Sequence, residues 1–227
     1  MPAPIKILSG GAMRPLIAEV VPLFERASAM KVAIEFRLTS VFTKEIEAGA
    51  AFDIALLPRP ELDELVNAGR IAPHATTDVT RSAVGLCVRG GASKPDIATA
   101  EGFKRTLISA RSIAYTDGPS GTYIAGLLQR LGIAEAMKPK TKLTSKPVAE
   151  LVTAGEAEIG LQQIVAMLPV KGAELVGPLP SELQDLIIYA AGISAGAQNL
   201  TAAQNFVALM RSPVVALLIR ATGMEPG

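Results

Sequence analysis

Three strand–loop–helix units succeed one another before Gly69, and no other feature of the chain restricts its fold as much. Residues 5–8 (Ile-Lys-Ile-Leu) read as a short apolar strand and Ser9-Gly10-Gly11-Ala12 as a turn, after which Leu16, Val20, Val21, Leu23 and Phe24 recur at helical spacing. Residues 32–36 form a second strand, Thr39-Ser40 can cap a helix, and residues 41–48 carry a helical pattern that Gly49 stops. Residues 52–57 make a third strand, Pro58-Arg59-Pro60 a loop, and residues 61–68 a helix up to Gly69. Strands alternating with helices in this way predict an α/β fold with a doubly wound, mostly parallel sheet.

At Arg81 the pattern shifts, which marks a lobe boundary. A strand over residues 83–88 leads through the polar loop 90–96 to a helix over 100–107. A strand over 112–115 is followed by Asp117-Gly118-Pro119-Ser120-Gly121-Thr122 and a helix that Gly132 ends. Next come a helix over 147–154, a strand over 158–163, a helix-like stretch over 164–168 and a strand over 186–190. The last helix is expected over 202–211, with Pro213 beyond it and one or two further turns over 214–221.

Composition removes several function classes. The 22 basic and 21 acidic residues nearly cancel, and no Lys/Arg-rich run is interleaved with aromatics, so a nucleic-acid footprint is missing. Cys87 is the only cysteine, which rules out an intrachain disulfide and a cysteine metal cluster; it reads as a buried strand thiol. No segment reaches the ~20 unbroken apolar residues of a membrane span, so the chain is expected not to be membrane-embedded. Acidic residues do not cluster as metal ligands, and no dinucleotide or Walker fingerprint is present, so no metal and no cofactor are expected. Compartment stays open: a native Met1 implies the cytoplasm, a trimmed export signal the periplasm. The expected state is a monomer.

The chemistry sits in loops. A helix start presents unpaired N–H groups and a partial positive charge, so a loop ending there in Gly, Ser or Thr holds an anion without a charged side chain. Three such loops occur, over residues 9–13, 38–41 and 117–122. Each taken singly is an ordinary cap, but in an open α/β sheet all of them lie at the carboxyl ends of strands, where crevices form.

The order and spacing of these segments resemble the molybdate-binding branch of the type 2 periplasmic binding proteins. The likeness runs through residues 5–13, 36–49 (ending Glu-Ile-Glu-Ala-Gly), 52–57, 117–123, 158–163 and Tyr189. It implies two α/β lobes, residues 1–83 with 191–227 and residues 84–190, joined by hinge crossovers, that close on a small anion in the cleft between them. It also implies a membrane permease as partner. The implied ligand contacts fall on Gly11, Ala12 and Met13 in the first loop, Thr39 or Ser40 in the second, Pro58 and Arg59 after the third strand, Ser120 and Gly121, Gln162, and Tyr189.

Departures from that pattern bear on the ligand. Ala12 stands where the family carries a Ser, and Arg59 where molybdate binders are neutral. Gln162-Gln163 replaces a more apolar segment. An Arg supplies a planar fork suited to carboxylates, so an oxyanion such as molybdate and a small organic acid both remain open. Catalysis is not expected: His74, the only histidine, falls in a polar loop, and no catalytic residue is identified. The alternatives are an isomerase of a small unsaturated polycarboxylate, like aconitate isomerase, in the same cleft, and a cytoplasmic anion sensor.

Overall fold

Parallel pairing begins with the first strand. In the computed structural model, which describes residues 3–227, β1 (Ile5–Gly10) pairs in parallel with β2 (Val32–Arg37) on one side and β3 (Ile54–Pro58) on the other. The apolar run of β3 is buried at every residue, as a strand covered on both faces must be. A turn of 3-10 helix over Gly11–Met13 leads into α1 (Arg14–Ser28); α2 (Thr39–Glu47) and α3 (Arg59–Asn67) follow β2 and β3.

The chain divides into two compact units: one runs up to Arg81 and takes in Ile188–Gly227, and the other is Ser82–Ile187. It passes from the first to the second within β4 (Ile71–Arg89) and returns within β9 (Leu186–Ser194). In the first unit β9 runs antiparallel to β3, with Ile54 opposite Ile193 and Pro58 opposite Tyr189. Leu8, Phe42, Ile46, Leu57, Leu62 and Leu65 fill the face covered by α2 and α3. On α1, Phe24 meets Phe206 of α9 (Leu200–Met210) edge to face, with ring centroids 5.2 Å apart. Then α10 (Pro213–Ala221) turns away from α9 by 62° before the short β10 (Glu225–Pro226) pairs with β4.

The second unit repeats the plan. Here β5 (Ile113–Thr116) pairs in parallel with β6 (Thr141–Thr144) and β7 (Ile159–Gln163). The second half of β4 lies antiparallel between β7 and β8 (Ala173–Pro178). One face packs on α4 (Ala100–Ser109), α5 (Pro119–Arg130) and α6 (Ala134–Met137) through Phe103, Leu107, Ile124, Leu127 and Met137. The other packs on α7 (Val148–Thr153) and α8 (Ile164–Met167) through Val148, Val152, Ile164 and Met167. Cys87 lies in this second core, where burial pushes its thiol up to about 11. Each unit is thus α/β, with a doubly wound, mostly parallel mixed sheet.

The expected segmentation needs correction in several places. No loop separates β3 from α3: the helix starts at Arg59, and Pro60 sits in its first turn, where its missing N–H costs nothing. Leu38 occupies the cap position of α2, so Thr39 and Ser40 are its first helical residues and cap nothing. His74 lies within the long β4, exposed and in the left-handed region at φ 60, rather than in a loop. The strands β6 and β8 and the short α6 carry too little apolar periodicity to be read from the sequence.

Asp53, at the entry to β3, ties the first unit together. Its carboxylate, 4% exposed, accepts from the N–H groups of Lys6 at 2.9 Å, Gln198 at 2.9 Å and Asn199 at 3.0 Å. Asp53→Ala would leave three backbone donors without this acceptor. The expected loss is roughly 2–4 kcal/mol of unfolding free energy, read by urea denaturation.

Candidate functional site

Helix starts in this protein differ in how their N–H groups are met. Those of α1, α2, α3 and α5 follow parallel strands, stand at the carboxyl edge of their sheets, and have no side-chain cap. By contrast α4, which follows the antiparallel β4, is capped by Thr99, and α10 is capped by Ser212. A side-chain cap is also missing at α6, α8 and α9, so its absence is not confined to one edge; at the carboxyl edges it leaves N–H groups that can meet an outside acceptor.

In the first unit several expected residues converge there. A methyl group built on Gly10 would lie 3.5 Å from the Thr39 hydroxyl and 3.9 Å from the Tyr189 ring, so the first loop, the start of α2 and β9 meet at Gly10. Pro58 stands opposite Tyr189 in the sheet, and Tyr189 is 3% exposed. Gly11 and Ser40 are exposed, and Ala12 is half-buried. Met13 turns inward: it is fully buried, and its thioether accepts from the Thr80 hydroxyl at 3.7 Å.

Arg59 is committed within its own unit. Its guanidinium donates to Asp63 at 2.9 Å and to Asp78 at 2.7 Å. The bond to Asp78 raises it further above its ordinary value. Two residues on, burial holds the half-buried Glu61 carboxyl above the usual range, against the pull of its place in the first turn of α3.

In the second unit the start of α5 is the notable feature. Gly118 is the cap residue, Pro119 opens the helix, and Ser120 and Gly121 follow, with no acidic residue in the first turn. A side chain at 121 is impossible without movement, because a Cβ there would lie 1.5 Å from the Thr116 carbonyl oxygen. Ser120 is 3% exposed as a residue, but its hydroxyl is not one of the buried side-chain atoms without a partner among the described residues, which are those of Ser82 and Gln184. Gln162 acts locally instead, its side-chain oxygen accepting from the Val148 N–H at 3.1 Å at the start of α7. Gln163 is buried at the end of β7.

A cavity of about 570 Å³ lies at the other end of this sheet, lined by Arg89, Arg111, Ser112, Gly155 and Ile159. Arg111 is paired with Glu158 there, and Arg89 lies beside Gly155, where α7 ends and the helix dipole is negative. That cavity is poorly suited to an anion. Among the described residues no group of three or more His, Cys, Asp or Glu can hold a metal ion, and no single helix is long and apolar enough to cross a membrane.

Residues missed from the sequence are Gly10, Glu61 and Arg14. Gly10 was legible as part of the first turn but only the later residues of that loop were singled out. Arg14 follows the same loop directly, and its guanidinium carbon lies 4.2 Å from the Phe36 ring centroid.

Known proteins share this fold. Residues 5–225 match the family model described as bacterial extracellular solute-binding protein, and the chain belongs to that family, with the fold of its molybdate-binding-like type 2 periplasmic members. It is 30% identical over 229 residues to an aconitate isomerase from a Pseudomonas species, covering 98% of this chain and 87% of that protein. It is 20% identical to the molybdate-binding protein ModA of Escherichia coli, over 96% of this chain and 88% of that protein. The substrate binding domain of a putative molybdenum ABC transporter from Clostridium difficile superposes with a TM-score of 0.80 at 16% identity, over 97% of both chains.

The tight start of α5 is open to test. Gly121→Ala forces the backbone at Thr116 or the helix start to move. The expected loss is about 1–3 kcal/mol of unfolding free energy, read from chemical denaturation.

Proposed function

We propose that this solute-binding protein captures a small, multiply charged anion with hydroxyl and backbone N–H donors at its uncapped helix starts. The observation that carries the reading is the start of α5, where Gly118, Pro119, Ser120 and Gly121 form a helix start with no side-chain cap and no acidic residue in its first turn. The N–H groups of such a start and the Ser120 hydroxyl can donate to an anionic ligand, and the helix dipole favours its negative charge. Thr39 is the counterpart hydroxyl in the first unit, beside Gly10 and Tyr189. Ligands of this kind include molybdate and small polycarboxylates; neutral sugars and amino acids, which need a different donor set, are excluded. The protein acts as a monomer that hands its ligand to a membrane permease.

A panel of thermal melts tests this reading. Molybdate, citrate or trans-aconitate is expected to raise the unfolding temperature by mass action, and glucose or alanine to leave it unchanged. The Ser120→Ala variant is expected to keep its ligand-free stability within about 0.5 kcal/mol while losing roughly 1.5–3 kcal/mol of affinity, the range of a hydrogen bond to a charged group. A response to the neutral solutes alone refutes the reading.

The likeness to an aconitate isomerase over 98% of the chain favours a second reading, turnover of an unsaturated polycarboxylate in the same site. That chemistry needs a base near an acidic C–H bond. Glu61, with its raised carboxyl, and Tyr189 are the two groups near the convergent loops able to exchange a proton. Binding without turnover is expected when the protein is mixed with cis-aconitate and followed by NMR. Interconversion that disappears in Glu61→Gln or Tyr189→Phe replaces the first reading by the second.

A further inference from the structure

Of the guanidinium groups near the carboxyl edge of the first unit's sheet, those of Arg37 and Arg59 are already neutralised, whereas Arg14 and Arg81, at the end of this unit's part of β4, are in no ion pair among the described residues. Arg37 is bonded to Glu35 and Glu45, and Arg59 to Asp63 and Asp78. Arg14 has no carboxylate partner among the described residues. It is held instead over the ring of Phe36, 4.2 Å from the centroid. Phe36 pairs with Ser9 across β1 and β2, so the ring that holds the cation belongs to the strand beside the one that ends in the first loop.

The position of Arg14 is also unfavourable for the fold alone. A cation at the first residue of a 15-residue helix opposes the helix dipole, and no acidic residue in that turn offsets it. An aromatic shelf explains how the side chain is held but not why a charge is kept there. Stacking occupies one face of the guanidinium and leaves its edge N–H donors open, in the forked geometry that matches a carboxylate.

We infer that Arg14 is the specificity-determining cation of the anion site, engaging a carboxylate of a small organic acid while Phe36 holds the guanidinium plane. The inference rests on the anion-capture reading above and narrows it to carboxylates. Within it, Arg59 keeps α3 tied to β4 through Asp78.

Calorimetric titration of the full chain with trans-aconitate, citrate and molybdate decides the matter. Arg14→Ala is expected to weaken the carboxylates by roughly 10–100-fold, the equivalent of a charge-assisted hydrogen bond, and molybdate by no more than about threefold. Arg14→Lys is expected to recover only part of the loss, because a point charge does not reproduce the fork. Phe36→Leu is expected to lower carboxylate affinity with Arg14 still present. Arg37→Ala removes a guanidinium of the same edge and serves as the control; it is expected to leave the ratio of carboxylate to molybdate affinity unchanged. Equal losses for carboxylates and molybdate in Arg14→Ala, or a change of ratio in Arg37→Ala, overturn the inference. A wild-type protein that binds molybdate and no carboxylate overturns it while anion capture stands, and one that binds no anion overturns both.

Discussion

A strand that pairs in parallel with its predecessor can be reached only by a crossover, and here each crossover helix begins at the carboxyl edge of the sheet it leaves. Everything functional in the molecule depends on that constraint. It gathers the unpaired N–H groups of α1, α2 and α3 along one edge in the first unit, and those of α5 along the matching edge in the second. At some other helix starts such groups are satisfied from inside the protein: Thr99 caps α4, Ser212 caps α10, and Asp53 receives the N–H groups that precede α9. Where a helix start at the carboxyl edge has no cap, an anion can take its place.

Much of the fold was legible because apolar periodicity and turn residues agree in the first three units. Strands β1, β2 and β3 and helices α1 and α2 fall within a few residues of their expected bounds. The errors have common causes. Pro58-Arg59-Pro60 reads as a loop because two prolines flank a charge, yet proline is tolerated both at the end of a strand and in the first turn of a helix, which is where each one lies. Residues 71–89 read as a polar loop and a short strand because the first part of β4, rich in Thr and half-exposed, lacks alternation; its partner there, β10, is supplied from the far end of the chain. Such pairing leaves no local trace.

The site was legible at the level of loops and not of contacts. Glycines and hydroxyls at helix starts identify the edge, because backbone chemistry is local. Whether a charged side chain at that edge is free is a tertiary property. Arg59 drew attention as a cation beside a family contact, but Asp78, 19 residues further on, meets it across the first unit. Gln162 reads as a ligand amide until Val148, 14 residues earlier, supplies the N–H it caps. Arg14 attracts no notice in the sequence, since a basic residue opening an amphipathic helix is ordinary on a solvated face.

Uncapped helix starts alone discriminate poorly between anions, because partial charges on N–H groups attract any compact negative group. Discrimination has to come from a full charge with fixed direction. A guanidinium bonded to two carboxylates, as those of Arg37 and Arg59 are, has its charge neutralised and contributes little net field. A guanidinium stacked on a ring keeps its charge and most of its donors, and loses mainly the freedom to turn away. On the carboxylate reading, discrimination at this edge comes from a cation that no carboxylate neutralises and that the fold holds in a fixed direction, as Phe36 holds Arg14.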